Sequence, residues 1–287
     1  MLAEARKFLL EEYCRNREIA AASPYYALYT DEKYRHSLQV LGAGNFIIRH
    51  EPWFADKKKD FIELAKTAVL LHDIARFDEI RQRFLGVQDK LDHSIMGWEM
   101  LRTMPAYDDV RITLPIKHHG HLIGDFYADE DVGAVGDPVL KKQVEKILFL
   151  IRDADKIANF NLMMYDETML MPLFVSFIDQ VKDQRQQISD GVLEDFWQHQ
   201  PIDRRKIRTQ ADEMLGYIGW IFDLNYYSSV VFCKRLKLVD MMFDTLMRFH
   251  TDKALNEKMR GEISAFIQKR FGADLSLPLK VFESSYD

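Results

Sequence analysis

The segment TAVLLHDIARF, residues 67–77, decides the reading of this chain. Phe61, Leu64, Ala65, Ala68, His72 and Ala75 recur at helical spacing, so the stretch reads as a helix whose apolar stripe contains an imidazole. Asp73 is then turned about 100° from it. Burying a polar ring without a partner costs on the order of 1–3 kcal/mol, and an unpaired carboxylate costs more. His72 and Asp73 therefore call for a charge, a hydrogen bond or a metal ion. Taken alone, a core histidine bonded to its neighbour, with Asp73 in a salt bridge, meets that demand.

The pattern recurs elsewhere, which changes the balance. In DEKYRHSLQVLGAGNFII, His36 aligns with Val40, Ala43 and Ile47, beside Gly42 and Gly44, which allow close helix packing. In KLDHSIMGWEMLRTM, His93 starts a stripe continued by Met96, Gly97, Met100 and Met104, with Asp92 as N-cap. In DDVRITLPIKHHGH, His119 follows Ile112, Pro115 and Ile116, and Gly120 ends the helix. In KILFLIRDADKIANFNLMM, Asp155 sits with Ile151, Ala158 and Leu162. A common target explains these inward-aimed groups better than independent core histidines do. Imidazole and carboxylate without cysteine suit iron, manganese, zinc, nickel or cobalt and disfavour calcium.

The rest of the chain is consistent with an all-α protein. Period-2 alternation is scarce, and 13 glycines and 8 prolines are few for 287 residues. Loop compositions occur at SPYY near 23, HEPWFADKKKD at 50–60, GDFYADEDVGAVGDP at 124–138, SDG near 190 and QHQPIDRR at 198–205. Seven of the nine histidines lie between residues 30 and 165, which places histidine chemistry there. A hydrophobic fraction of 47% with 29% charged residues is ordinary for a globular protein, and no run approaches the roughly 20 apolar residues of a membrane span. The opening MLAEARKFLLEEYCRNR has no apolar signal region, and Cys14 and Cys233 form neither a disulfide framework nor a thiolate metal motif; a cytoplasmic setting is expected. A net charge of -6 argues against binding duplex nucleic acid. The chain holds no Gly-rich phosphate loop, nucleophile elbow or HExxH. The run DRRKIR at 203–208 reads as a solvated helix start capped by Asp203, and NLMMYDETMLMPLF and YIGWIFDLNYY read as packing surface or subunit contact, which leaves a homodimer open.

The ordered set His36, His72-Asp73, His93, His119 and Asp155, carried by LLHDIARF, DKLDHSIMGWEML, PIKHHGH and RDADKIANF, resembles the H…HD…H…H…D signature of the HD-domain superfamily of metal-dependent phosphohydrolases. The resemblance spans residues 30–165, and departs from the family's HDIG only in having Ala75. It implies an HD-domain helical bundle with additional C-terminal helices. The expected organisation is an N-terminal helix at 1–29 packing on the core, an HD metal-binding core at 30–165, and a helical extension at 166–287 packed on that core, the whole forming one structural domain.

The resemblance further implies one or two divalent transition metal ions per chain. His36, His72, Asp73 and Asp155 would hold the first, and His93 and His119 mark the branch with a second, bridged by Asp73. Within KHHGH, His119 is the expected ligand, with His118 second and His121 third; within RDADK, Asp155 is favoured and Asp153 supports or caps. Arg76, Lys156 and Arg35 are the expected cations for a substrate phosphate, with Asp73, Arg76 and Lys156 the expected catalytic set. The reaction expected is hydrolysis of a phosphoester or phosphoanhydride in a nucleotide or similar small phosphorylated metabolite. A di-iron oxygenase with the same ligands and a nucleotide-sensing module without turnover are the alternatives.

Overall fold

The computed structural model describes residues 1–87, 91–165 and 187–272, and among them there are helices and no strands. The all-α expectation holds. The described residues form two compact units, residues 1–158 and the residues from 159 onward.

In the first unit, helix α1 (Leu2–Ala20) and the long α2 (Pro24–His50) are followed by α3 (Lys59–Leu71) and α4 (Arg76–Phe84). Then come α5 (His93–Arg102), α6 (Val110–His118), the short α7 (Ile123–Ala128) and α8 (Glu130–Gly133), and α9 (Pro138–Tyr165), which belongs to this unit as far as Ala158. Pro24 stands at the start of α2, where its missing N–H costs nothing and its fixed φ suits a helix. Helix α2 packs on α1, α3 and α4, and α6 packs on α3 and α5. Gly44 permits the α2–α3 approach, because a Cβ there would sit 2.9 Å from Val69 Cγ1, whereas Gly42 faces open space.

The core of this unit is the line of fully buried Ile47, Val69, Leu70, Leu71, Ile74, Phe77, Ile112, Ile116 and Ile151. Each such side chain stabilises the fold by about 1.5–3 kcal/mol relative to exposure. The stretch 124–138, loop-like in composition, carries the two short helices α7 and α8. Phe126 and Val132 pin them against Leu114, Val144 and Leu148, which explains why a Gly/Asp-rich segment still orders.

The second unit contains α10 (Asp190–Trp197), α11 (Gln210–Gly219), α12 (Tyr227–Arg235), α13 (Leu238–Phe249) and α14 (Lys253–Phe271). Asp212 organises its start: it accepts the amide of Ser189 at 2.7 Å and that of Arg208 at 2.8 Å, and it completes a capping box with Thr209. Phe196, Phe222, Phe266 and His199 form an aromatic cluster, with His199 in the left-handed region (φ 55°). Asp203 caps the single turn Arg204–Lys206 and pairs with Arg205, as the capped helix start predicts, although the turn is 3-10. Most of NLMMYDETMLMPLF lies outside the described residues.

Candidate metal centre

His72 and Asp73 do not lie within one continuous helix. Helix α3 ends at Leu71, and the chain turns through residues 72–75 before α4 begins. The hydrogen bonding tightens there, with the amide of Ile74 on Leu71 O (3.0 Å) and that of Arg76 on Asp73 O (2.9 Å). The His72 ring explains the change: its Nδ1 lies 2.9 Å from Val69 O, so the ring takes a carbonyl that a continuing helix would use for an amide. With a proton on Nδ1, Nε2 carries the lone pair and faces inward. The same device recurs at the end of α6, where His119 Nδ1 lies 2.8 Å from Ile116 O.

Asp73, 4% exposed, is the hub. Its Oδ2 faces His36 Nε2 at 4.0 Å and His72 Nε2 at 3.8 Å. Its Oδ1 faces His93 Nε2 at 3.3 Å and His119 Nε2 at 3.5 Å. Asp155 approaches from α9, with Oδ1 at 2.9 Å from His36 Nε2 and 3.8 Å from His72 Nε2. Two groups of donors result, His36/His72/Asp155 and His72/Asp73/His119, each with its ligand atoms within 4.8 Å of one another. His93 Nε2 stands beside the second, 3.2 Å from His119 Nε2 and 3.3 Å from Asp73 Oδ1.

These residues fit a metal ion. His72 Nε2 is buried and has no hydrogen-bond partner among the described residues, its nearest carboxylate oxygens being 3.8 Å away. An orphaned acceptor in a fully buried ring is costly unless something electrophilic sits between it and the carboxylates. A donor set of imidazole nitrogens and carboxylate oxygens without sulfur matches first-row transition metals.

Charge follows the geometry. Burial alone would raise the Asp73 carboxyl, but Lys33, His72 and Arg76 outweigh it and hold the group well below the usual carboxylate range. The same holds for Asp155, which His36 and His72 lower against burial. Burial depresses His36 and pushes His93 down to about 2, keeping both rings neutral and able to bind metal. His72 is raised, because Asp73 and Asp155 outweigh its burial.

The remaining histidines of KHHGH point elsewhere. His118 Nε2 meets Asp129 at 3.0 Å and His121 Nε2 meets Asp92 at 2.8 Å, leaving His119 as the ring that reaches Asp73. Asp92 caps α5 by accepting the amides of Ser94 (3.0 Å) and Ile95 (3.3 Å), which fixes His93 as the first residue of the helix. Gly120 is demanded by that approach, because a Cβ there would sit 2.9 Å from Ser94 Oγ and 3.6 Å from His93 Cε1.

Among the expected cations, Arg76 reaches the centre: its Nε is 3.5 Å from Asp73 Oδ1, while its Nη1 binds Glu79 at 2.6 Å. Lys156 turns back along α9 and donates to Arg152 O at 3.4 Å. Arg35 lies exposed on the flank of α2. The residue that sequence reading passes over is Lys33, whose Nζ is 3.3 Å from Asp73 Oδ2. Its i, i+3 spacing to His36 places both on one helix face, a relation that by itself does not mark a lysine as functional. Arg152 is also missed: buried, it donates to the carbonyls of the His118–His121 turn.

Among the described residues, the helical fold gathers histidines and aspartates from α2, the α3–α4 turn, α5, α6 and α9 into a cluster that could hold a metal ion. Residues 34–159 match the family model of the HD domain, which supports the resemblance to the HD-domain superfamily over that segment. Such domains are in general metal-dependent phosphohydrolases, although some members are not enzymes. No curated protein and no solved structure matched the chain.

Proposed function

We propose that the protein is a metal-dependent phosphohydrolase that cleaves a phosphoester or phosphoanhydride of a nucleotide or similar small phosphorylated metabolite in the cytoplasm. The supporting observation is the division of Asp73, whose two oxygens face different sets of rings: Oδ2 toward His36 and His72, Oδ1 toward His93 and His119. His36, His72, Asp155 and Asp73 Oδ2 would hold one ion, and His93, His119 and Asp73 Oδ1 the other. Bound divalent ions supply Lewis acidity and lower the pKa of water from about 15.7 toward roughly 7.

The chain contributes the surrounding charge. Lys33 and Arg76 flank opposite oxygens of Asp73, at 3.3 Å and 3.5 Å. They balance the carboxylates of the site, and with a dication taking over that balance both cations would be available to phosphoryl oxygens, where charge accumulates during transfer. Arg76 offers a planar fork and Lys33 a compact point charge. Asp73 and Asp155, held ionised, act as anionic anchors and not as proton donors.

The test is phosphate release from p-nitrophenyl phosphate, bis-p-nitrophenyl phosphate and a nucleotide panel, with manganese, iron or nickel restored after chelation. Turnover that appears with metal and disappears with chelator is the expected result. No release from any substrate by metal-loaded protein contradicts the reading, and oxygen uptake by the iron-loaded form would replace it with the oxygenase.

A further inference from the structure

Helix α9 meets the site twice. Asp155 supplies a carboxylate, and one turn earlier Arg152, 6% exposed, sends Nη1 to His121 O at 2.5 Å and His119 O at 3.1 Å, with His118 O at 3.4 Å. These carbonyls lie at and just past the C-terminal end of α6, where the helix runs out of amides; His118 O also accepts the amide of His121 at 3.2 Å. Water satisfies such groups at an exposed helix end; here a buried guanidinium does, with a charge of the sign favoured at a helix C-terminus. His119 stands on that turn. Its Nδ1 is tied to Ile116 O at 2.8 Å, and its Nε2 lies 3.2 Å from His93 Nε2 and 3.5 Å from Asp73 Oδ1. The orientation of the ring is therefore set by a stretch of backbone, and Arg152 holds that backbone.

We infer that Arg152 is a positioning residue for the His93/His119 half of the centre, acting through the carbonyls of the His118–His121 turn. Because Arg152 and Asp155 are spaced i, i+3 on one helix, a single turn of α9 fixes both halves of the ligand set relative to each other. All three contacts run to the one nitrogen Nη1, and the shortest are those to His121 O and His119 O. The inference rests on the reading of His93 and His119 as a second ligand group.

The experiment compares wild type with R152M and R152K by equilibrium dialysis against manganese, counting bound ions by elemental analysis. The first ion is expected to bind R152M within about threefold of wild type, while the second weakens by roughly 10–100-fold, the usual effect of removing a group that orients a ligand. R152K should fall between. An unchanged second ion overturns the inference, as does equal weakening of both ions, which marks Arg152 as a general structural residue. A metal-free readout runs alongside: nitrogen NMR of the histidine side chains, where wild-type His119 should be a single Nδ1–H tautomer and R152M a mixture, with His72 unaltered. If wild type takes up only one ion, the two-ion reading fails by itself and the His119 spectrum judges Arg152; an unchanged tautomer in R152M then overturns it.

Discussion

At the scale of single residues, Asp73 carries the most weight, because each of its oxygens faces a different pair of imidazoles while Lys33 and Arg76 stand beside it. Asp73→Asn keeps the shape and removes the charge. It should weaken metal binding by more than the ~10–100-fold that follows loss of an outer partner, and elemental analysis after dialysis checks this. Lys33 and Arg35 make a paired prediction. Lys33→Ala should lower kcat/KM about 10–100-fold, the worth of one charged hydrogen bond of ~1.5–3 kcal/mol. Arg35→Ala, an exposed substitution, should stay within about twofold; the reverse ranking would place the phosphate on the other side of α2. The histidines were legible in the sequence because an imidazole in an apolar stripe is anomalous. Lys33 and Arg152 were not, because a cation on a helix looks the same in sequence whether it meets solvent, a carboxylate or a carbonyl.

At the scale of elements, the positions of His72 and His93 depend on where helices stop and start. A helical wheel places His72 correctly inward but runs the helix through it; the break is invisible to periodicity, because it is made by the His72 ring binding Val69 O. Helix α5 begins where Asp92 caps it, a start that the Asp-His-Ser order already signals. Asp92→Ala should cost about 1 kcal/mol, seen as a lowered Tm. The Asp92 carboxyl sits below the ordinary range, since His121 and the amides of Ile95 and Ser94 outweigh the raising effect of burial. Its folded pKa is depressed, so its contribution is complete above about pH 4 and fades as pH falls through that lower value; the Tm gap between wild type and Asp92→Ala should narrow in acid. Gly120→Ala forces a methyl against Ser94 Oγ at 2.9 Å and presses on His93. It should destabilise by ~1–3 kcal/mol and weaken metal binding, whereas Gly42→Ala, with open space around it, should leave metal binding unchanged.

At the scale of the whole molecule, the helical class and the location of the site were readable, because residues 30–165 concentrate the histidines on apolar stripes. The exact point at which the chain divides into two compact units was not, since it falls inside the continuous pattern of α9 and not at its end. The site also sets the response of the metal-free protein to acid. His36 and His93 are depressed in the fold, so between the unfolded histidine value of about 6.5 and their lower folded values the unfolded chain binds more protons. Stability is therefore lost as pH falls through that window. Asp73 and Asp155, also depressed, extend the loss below about pH 4. His72, which is raised, changes stability only above about pH 6.5, where its folded value lies, and leaves this window unaffected. Metal-free protein should thus show a falling Tm from about pH 6.5 downward; a Tm that rises toward pH 5 would mean that the rings are not buried neutral. The most direct measurement is metal content per chain, by elemental analysis of wild type and Asp155→Ala after equilibration with manganese. Two ions in the wild type, with the ion held by His36 and His72 lost from the variant, is the predicted result; a wild type that retains no ion contradicts the account.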